Sequence, residues 1–128
     1  MTTSRIILFQ VKQPNEKISR LAETASSHFE RKERLVIFTD AIQYVDDLLW
    51  KIPLFLPHSI DTEDFIIITS SKTTFSAKVA FNLCPTPLLI EGFRLIYDFE
   101  DLTSPSRQQL SSVRFDAYKK AGLLIEAR

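Results

Sequence analysis

Apolar residues fall along the chain in short continuous runs separated by stretches of helical period. Ile6-Ile7-Leu8-Phe9, followed by Val11, is a β-branched and aromatic run without polar alternation, the pattern of a strand buried on both faces. Lys12-Gln13-Pro14-Asn15 breaks it, with Asn15 expected as N-cap of the helix that follows. Ile18, Leu21, Ala22, Ala25 and Phe29 then recur at helical spacing, with Glu16, Lys17, Arg20, Glu23 and Ser27 elsewhere on the wheel. Leu35-Val36-Ile37-Phe38 is a second buried strand, so the first third of the chain reads as a parallel strand–helix–strand unit, right-handed by precedent.

Asp40 is expected to cap a second helix with an apolar face of Ala41, Tyr44, Val45, Leu48 and Leu49, ended by Pro53, which cannot donate to the helix ladder. Residues 65–68 and 79–83 read as the third and fourth strands. The link between them is too short for an ordinary parallel crossover, which predicts a hairpin or a mixed sheet. Leu95-Ile96-Tyr97 marks a fifth strand. A last helix runs from Ser104, its N-cap, and Pro105 to Gly122, which supplies the left-handed stop; its expected buried stripe is Leu110, Val113, Ala117 and Ala121. The fold class is α/β: one three-layer domain over residues 1–128, with a mostly parallel sheet of five strands and helices on both faces.

Composition narrows the function. Apolar content of 45% and charged content of 25% are those of a folded globular domain, and 128 residues bury roughly two-thirds of their unfolded surface. Sixteen basic and sixteen acidic side chains cancel. Phosphate neutralisation supplies most nucleic-acid affinity, so direct DNA binding is disfavoured as the main role. Cys84 is the only cysteine, which rules out an intrachain disulfide and points to a reducing, cytoplasmic home. The N-terminal apolar run is too short for a signal-peptide core, and no stretch approaches a membrane span.

Candidate chemistry is thin. Thr69-Ser70-Ser71-Lys72-Thr73-Thr74 follows a strand, but a phosphate loop needs glycines, and Gly92 and Gly122 lie elsewhere; a polar loop is the expectation. His28 and His58 have no cysteine near them, too small a set for zinc. His28 is expected on the polar face of its helix, and His58 bonded to its own turn. Adjacent carboxylates at Asp46-Asp47, Glu63-Asp64 and Glu100-Asp101 point to different sides and cannot clamp one atom. Cys84, before Pro85, reads as a small buried side chain. Neither a metal, a cofactor nor a catalytic centre is expected.

What stands out instead is apolar side chains in a tight turn. Trp50, Leu54, Phe55 and Leu56 surround the segment between Pro53 and Pro57, with His58 next. Leu54 and Leu56 could each be core or surface. So short a turn has little room to hide every one of these side chains, and an exposed aromatic is the usual anchor of an interface. At one hundred degrees per residue, Gln108, Ser112, Phe115 and Lys119 share a second face, on the last helix.

Two motifs carry a resemblance. Val45-Asp46-Asp47-Leu48-Leu49-Trp50 leads into Pro57-His58, and Arg114-Phe115-Asp116-Ala117-Tyr118-Lys119-Lys120-Ala121-Gly122 closes the last helix. In order, spacing and placement they resemble the chi subunit of the bacterial DNA polymerase III clamp-loader assembly. The resemblance implies a non-catalytic adaptor that bridges the clamp loader to single-stranded DNA-binding protein. Its psi-partner surface would be Trp50, Leu54, Phe55, Leu56 and His58, on a turn shorter than the family pattern. Its second surface would take the acidic C-terminal tail of single-stranded DNA-binding protein on Phe115 and Lys119, helped by Arg114 and Lys120. Gln108, Ser112 and Asp116 stand where the family has basic residues, which predicts a weakened tail site. The rival reading is a small nucleotide- or metabolite-binding α/β enzyme, with its ligand at strand ends near Thr39-Asp40 and Thr69-Ser70. A deep pocket there would favour the rival; an apolar patch at Phe55 would favour the adaptor.

Overall fold

The computed structural model describes residues 4–51, 54–71 and 75–128. Pro53, the expected end of the second helix, and Lys72-Thr73-Thr74 of the polar loop lie outside the described residues. Among the described residues, seven strands and three helices follow in the order β1 (Arg5–Val11), α1 (Pro14–Glu30), β2 (Leu35–Phe38), α2 (Ile42–Trp50), β3 (Ser59–Ile60), β4 (Ile66–Thr69), β5 (Val79–Asn82), β6 (Leu95–Asp101), α3 (Pro105–Lys120) and β7 (Leu124–Ala127). The described strands form one sheet in the order β3-β4-β2-β5-β6-β1-β7, and every pairing is parallel. The three-layer α/β class is as the sequence predicts, with seven strands in place of five.

The hairpin expected of β4 and β5 does not form, because β2 lies between them and pairs with both. These strands have only four residues each. At about 3.3 Å per residue the returning link has only ~13 Å of strand length to climb and two strand spacings to cross. Nine residues can span that without a helix. The first strand–helix–strand unit is likewise parallel, with β5 and β6 inserted between β1 and β2.

Alternation along the strands divides the core in two. Ile7, Phe9, Ile37, Ile68 and Phe81 face α1 and α2, where Leu21, Ala25, Val45 and Leu49 cover them. Ile6, Leu8, Phe38, Ile67 and Ala80 face the opposite way, onto α3 and the segment before β6 that carries Leu88 and Phe93. The connections through α1 and α2 cross the sheet in one direction and that through α3 in the other. A constant crossover hand therefore puts α3 on the opposite face.

Helix ends depart from expectation in two places. Asn15 lies inside α1, and Gln13 is its cap; Glu16 folds back so that its carboxylate accepts from the N–H groups of Lys12 and Gln13. Asp40 does not cap α2: Ala41 holds that position, and the Ala41 N–H donates to Thr39 Oγ1. Ser104, Pro105 and Gly122 behave as expected, with Ser104 accepting from the Arg107 N–H and Gly122 at φ +80°. The expected stripe of α3 is displaced, since Leu110 and Val113 are 44% and 52% exposed while Ser111, Arg114 and Tyr118 face inward. His28 is fully buried in α1 rather than on its polar face; its Nε2 bonds the Tyr97 hydroxyl at 2.9 Å and its Nδ1 meets Glu33 at 2.9 Å. Burial is the main influence on its imidazole and pushes its pKa down.

Candidate functional site

The turn after α2 is built from backbone outward. The Leu56 N–H donates to Leu49 O at 2.7 Å and the Phe55 N–H to Lys51 O at 2.8 Å, which folds the chain back onto the helix end. Leu56 drops into the core beneath, so it is no part of an accessible surface, and Leu54 is half-buried against the same cluster. Phe55 is forced the other way. It adopts φ +38°, rare for a residue with a side chain, and is 61% exposed. Trp50, 39% exposed, lies beside it with ring centroids 5.4 Å apart. The two rings make one aromatic ledge.

His58 supports the ledge from below. Its ring packs against Trp50 at 4.4 Å between centroids. Nδ1 sits 2.7 Å from Leu56 O and Nε2 2.6 Å from Asp46 Oδ1. The ring thus ties Asp46, one half of a carboxylate pair on α2, to the backbone of the turn. His58 thus bonds its own turn, as expected, and is buried rather than presented.

On α3 the structure separates residues that the sequence grouped. Arg114 is only 7% exposed and turns inward, where Nε lies 3.3 Å from Asp98 Oδ2 and the two Nη groups donate to Phe99 O, Pro85 O and Ser111 Oγ. It cannot flank an exposed docking face. The Tyr118 hydroxyl donates to Asp98 Oδ2 at 2.6 Å, and Asn82 donates to the same oxygen at 3.1 Å. Burial pushes the Asp98 carboxyl up, opposed by the Arg114 guanidinium and the Tyr118 hydroxyl; the Tyr118 phenol is itself pushed up by burial and by Asp98. This network ties α3 to β5 and β6. The signals for it were an aspartate inside the apolar run of β6 and an arginine four residues before a tyrosine on one helix face.

Outside that network, Phe115 is half-buried against the second core cluster, and Lys119 Nζ lies 5.2 Å over its ring. Gln108, Ser112, Asp116 and Lys120 are exposed. A crevice of about 530 Å³ opens over the Asn82–Asp98–Arg114 network, at the carboxyl ends of β2, β5 and β6 and the N-terminal halves of α1 and α3. Thr39 lines it; Thr69 does not, and instead donates its hydroxyl to Asp61. Cys84 lies buried at its wall. Among the described residues no group of three His, Cys, Asp or Glu is placed to hold a metal ion, and no helix is long and apolar enough to cross a membrane.

No curated protein matches the chain. A family model described as DNA polymerase III chi subunit, HolC, matches residues 1–126, and the chain belongs to that family of accessory subunits of DNA replication.

Proposed function

We propose that this protein is the adaptor that links the clamp loader of a bacterial replicative polymerase to single-stranded DNA-binding protein, through two separate protein surfaces. The observation that carries the first is the aromatic ledge. Trp50 and Phe55 stand out on a turn whose backbone hydrogen bonds are closed and whose underside is held by Leu56 and the His58–Asp46 pair. A pre-ordered aromatic pair loses little side-chain freedom on docking, which is what a binding hot spot requires. The partner there is a psi-like subunit, which receives Phe55 and Trp50 with Leu54 at the margin. Mixing the chain with its psi-like partner and following the complex by sizing chromatography tests this: Phe55→Ala should abolish co-elution, and unchanged co-elution would sink it.

The second surface is the flank of α3 that carries Phe115, Lys119 and Lys120. Its partner is the acidic C-terminal tail of single-stranded DNA-binding protein, and the contact is weak because Asp116 repels an acidic ligand and Arg114 is committed to Asp98. The adaptor works in the reducing cytoplasm, where one cysteine is no liability. The crevice near Thr39 favours the rival, a nucleotide- or metabolite-binding enzyme. Against that reading, the Asp98 carboxylate and Asn82 at its floor are already saturated by internal hydrogen bonds.

A further inference from the structure

The crevice has a position, a lining and a charge that the adaptor role leaves unexplained. The connections after β2 and β1 run on one face of the sheet, and those after β5 and β6 on the other. Between β2 and β5, and again between β6 and β1, neighbouring strands therefore send their chains apart, and the crevice lies across both partings. Open parallel sheets bind small molecules at such points. Its volume of about 530 Å³ falls within the range of small-ligand sites, about 300–1,000 Å³.

Its walls are apolar and come from separate elements: Ile18 of α1, Tyr44 and Leu48 of α2, Leu83 after β5 and Leu110 of α3. Ile18, Tyr44 and Leu110 are among the large apolar side chains that the fold leaves exposed, and all three turn toward this one mouth. The displaced stripe of α3 thus has a destination at its Leu110 end.

Charge decides the ligand. Asp98 is neutralised by Arg114, and Asp101 is held by Lys17 at 2.6 Å and by Thr103. Arg107, at the rim, makes no side-chain hydrogen bond or ion pair among the described residues. An incoming molecule therefore meets apolar walls, two spent carboxylates and one unspent guanidinium. A phosphate group would want a wrap of backbone N–H groups on glycines, and neither glycine lies here. A guanidinium at the edge of an apolar slot matches a single carboxylate in front of a compact hydrocarbon body. We propose that this crevice is a binding site for a small apolar acid, an aliphatic or aromatic monocarboxylate whose carboxylate pairs with Arg107 and whose body lies between Ile18, Leu48 and Leu110.

Hexanoate and phenylacetate, titrated into the full chain while backbone amide resonances are followed, test the site. Shifts should map to the starts of α1, α2 and α3, and hexanamide should bind about tenfold more weakly than hexanoate because it lacks the charge. Arg107→Glu should weaken hexanoate by about tenfold or more, and Leu110→Trp should block it sterically; both positions are exposed, so the fold is retained. Phe55→Ala should leave it unchanged. Equal binding of the amide, an unaltered affinity in Arg107→Glu, shifts centred on the Trp50–Phe55 ledge, or no shifts at millimolar acid would each overturn the proposal.

Discussion

The ledge at Trp50–Phe55 and the flank at Phe115–Lys119 both carry an aromatic ring at the surface, yet they are built on opposite principles. At the ledge the support is buried and the rings are exposed: Leu56 and His58 lie underneath, and Phe55 stands clear at 61% exposure. On the flank the aromatic itself is half support, because Phe115 packs into the core cluster beneath α3 and shares only its outer face with Lys119. Of the partner surfaces proposed above, the first would work by shape and desolvation. The second depends on charge, and its near neighbours Gln108, Ser112 and Asp116 supply little of it. Substitution at the ledge should separate binding from stability, whereas substitution on the flank should mix them.

The largest expected effect concerns Arg114, which the sequence grouped with the flank and the structure assigns to the core. Arg114→Ala leaves Asp98 buried without its cation, a loss of about 3–5 kcal/mol in stability measured by urea denaturation. Burial already raises the Asp98 carboxyl, and the guanidinium opposes that shift. Between the unfolded carboxyl value and the raised folded one, the folded protein holds the extra proton, so stability falls as pH rises. The deficit of the variant should therefore be greatest at neutral pH and shrink on acidification. A mild, pH-independent loss would return Arg114 to the flank.

Next comes Phe55→Gly. Removing the side chain should cost about 2–4 kcal/mol of binding to a psi-like partner, roughly 30- to 1,000-fold in Kd by calorimetry. Because Phe55 sits at φ +38°, glycine also relieves a backbone penalty of about 1–2 kcal/mol, so the melting temperature should hold or rise. A clear drop in melting temperature would show that the ledge is core after all. Phe115→Ala should instead lower stability and tail binding together, by about 2 kcal/mol in stability for a half-buried ring.

The smallest effect is Asp116→Lys. Exchanging a repulsion for an attraction on an exposed helix face should tighten an acidic, phenylalanine-terminated peptide by about 1 kcal/mol, and raising salt should erase most of it within a screening length of about 8–10 Å. Calorimetric titrations of both proteins at two salt concentrations decide it. An unchanged affinity at low salt would remove the flank from the binding surfaces.

Much of the architecture was legible because buried parallel strands have an unmistakable signature, and Ile6–Phe9, Leu35–Phe38 and Ile66–Ile68 carry it. The strand order was not legible, since no local pattern tells β4 that β2 will come between it and β5. β3 escaped notice because it has two residues, and β7 because Gly122 read as an ending rather than as a corner before Leu124-Ile125. The inward face of α3 was misread for a chemical reason: it is polar. Leu110 and Val113 looked like core by hydrophobicity, while Arg114 and Tyr118 were drawn inside by a single buried carboxylate that lies on another element. His28 could have been found, because it follows Leu21 and Ala25 at the spacing of one helix face. The ledge was legible as a composition, but its division into exposed Phe55 and buried Leu56 needed the backbone.

One feature of the sheet bears on how the protein is made. β1 leaves the ribosome before the other strands of this sheet, yet its two neighbours are β6 and β7, whose sequences follow about ninety and one hundred and twenty residues later. At ~5–20 residues per second of synthesis, β1 waits roughly 5–20 s for its first partner. During that wait it is an unpaired apolar segment tethered to α1, while β2, β4 and β5 can already assemble among themselves. The earliest strand of the sheet is thus among the last to be enclosed, and the nascent chain spends its vulnerable interval with a sticky unpaired segment, a natural client for chaperones that scan emerging polypeptides.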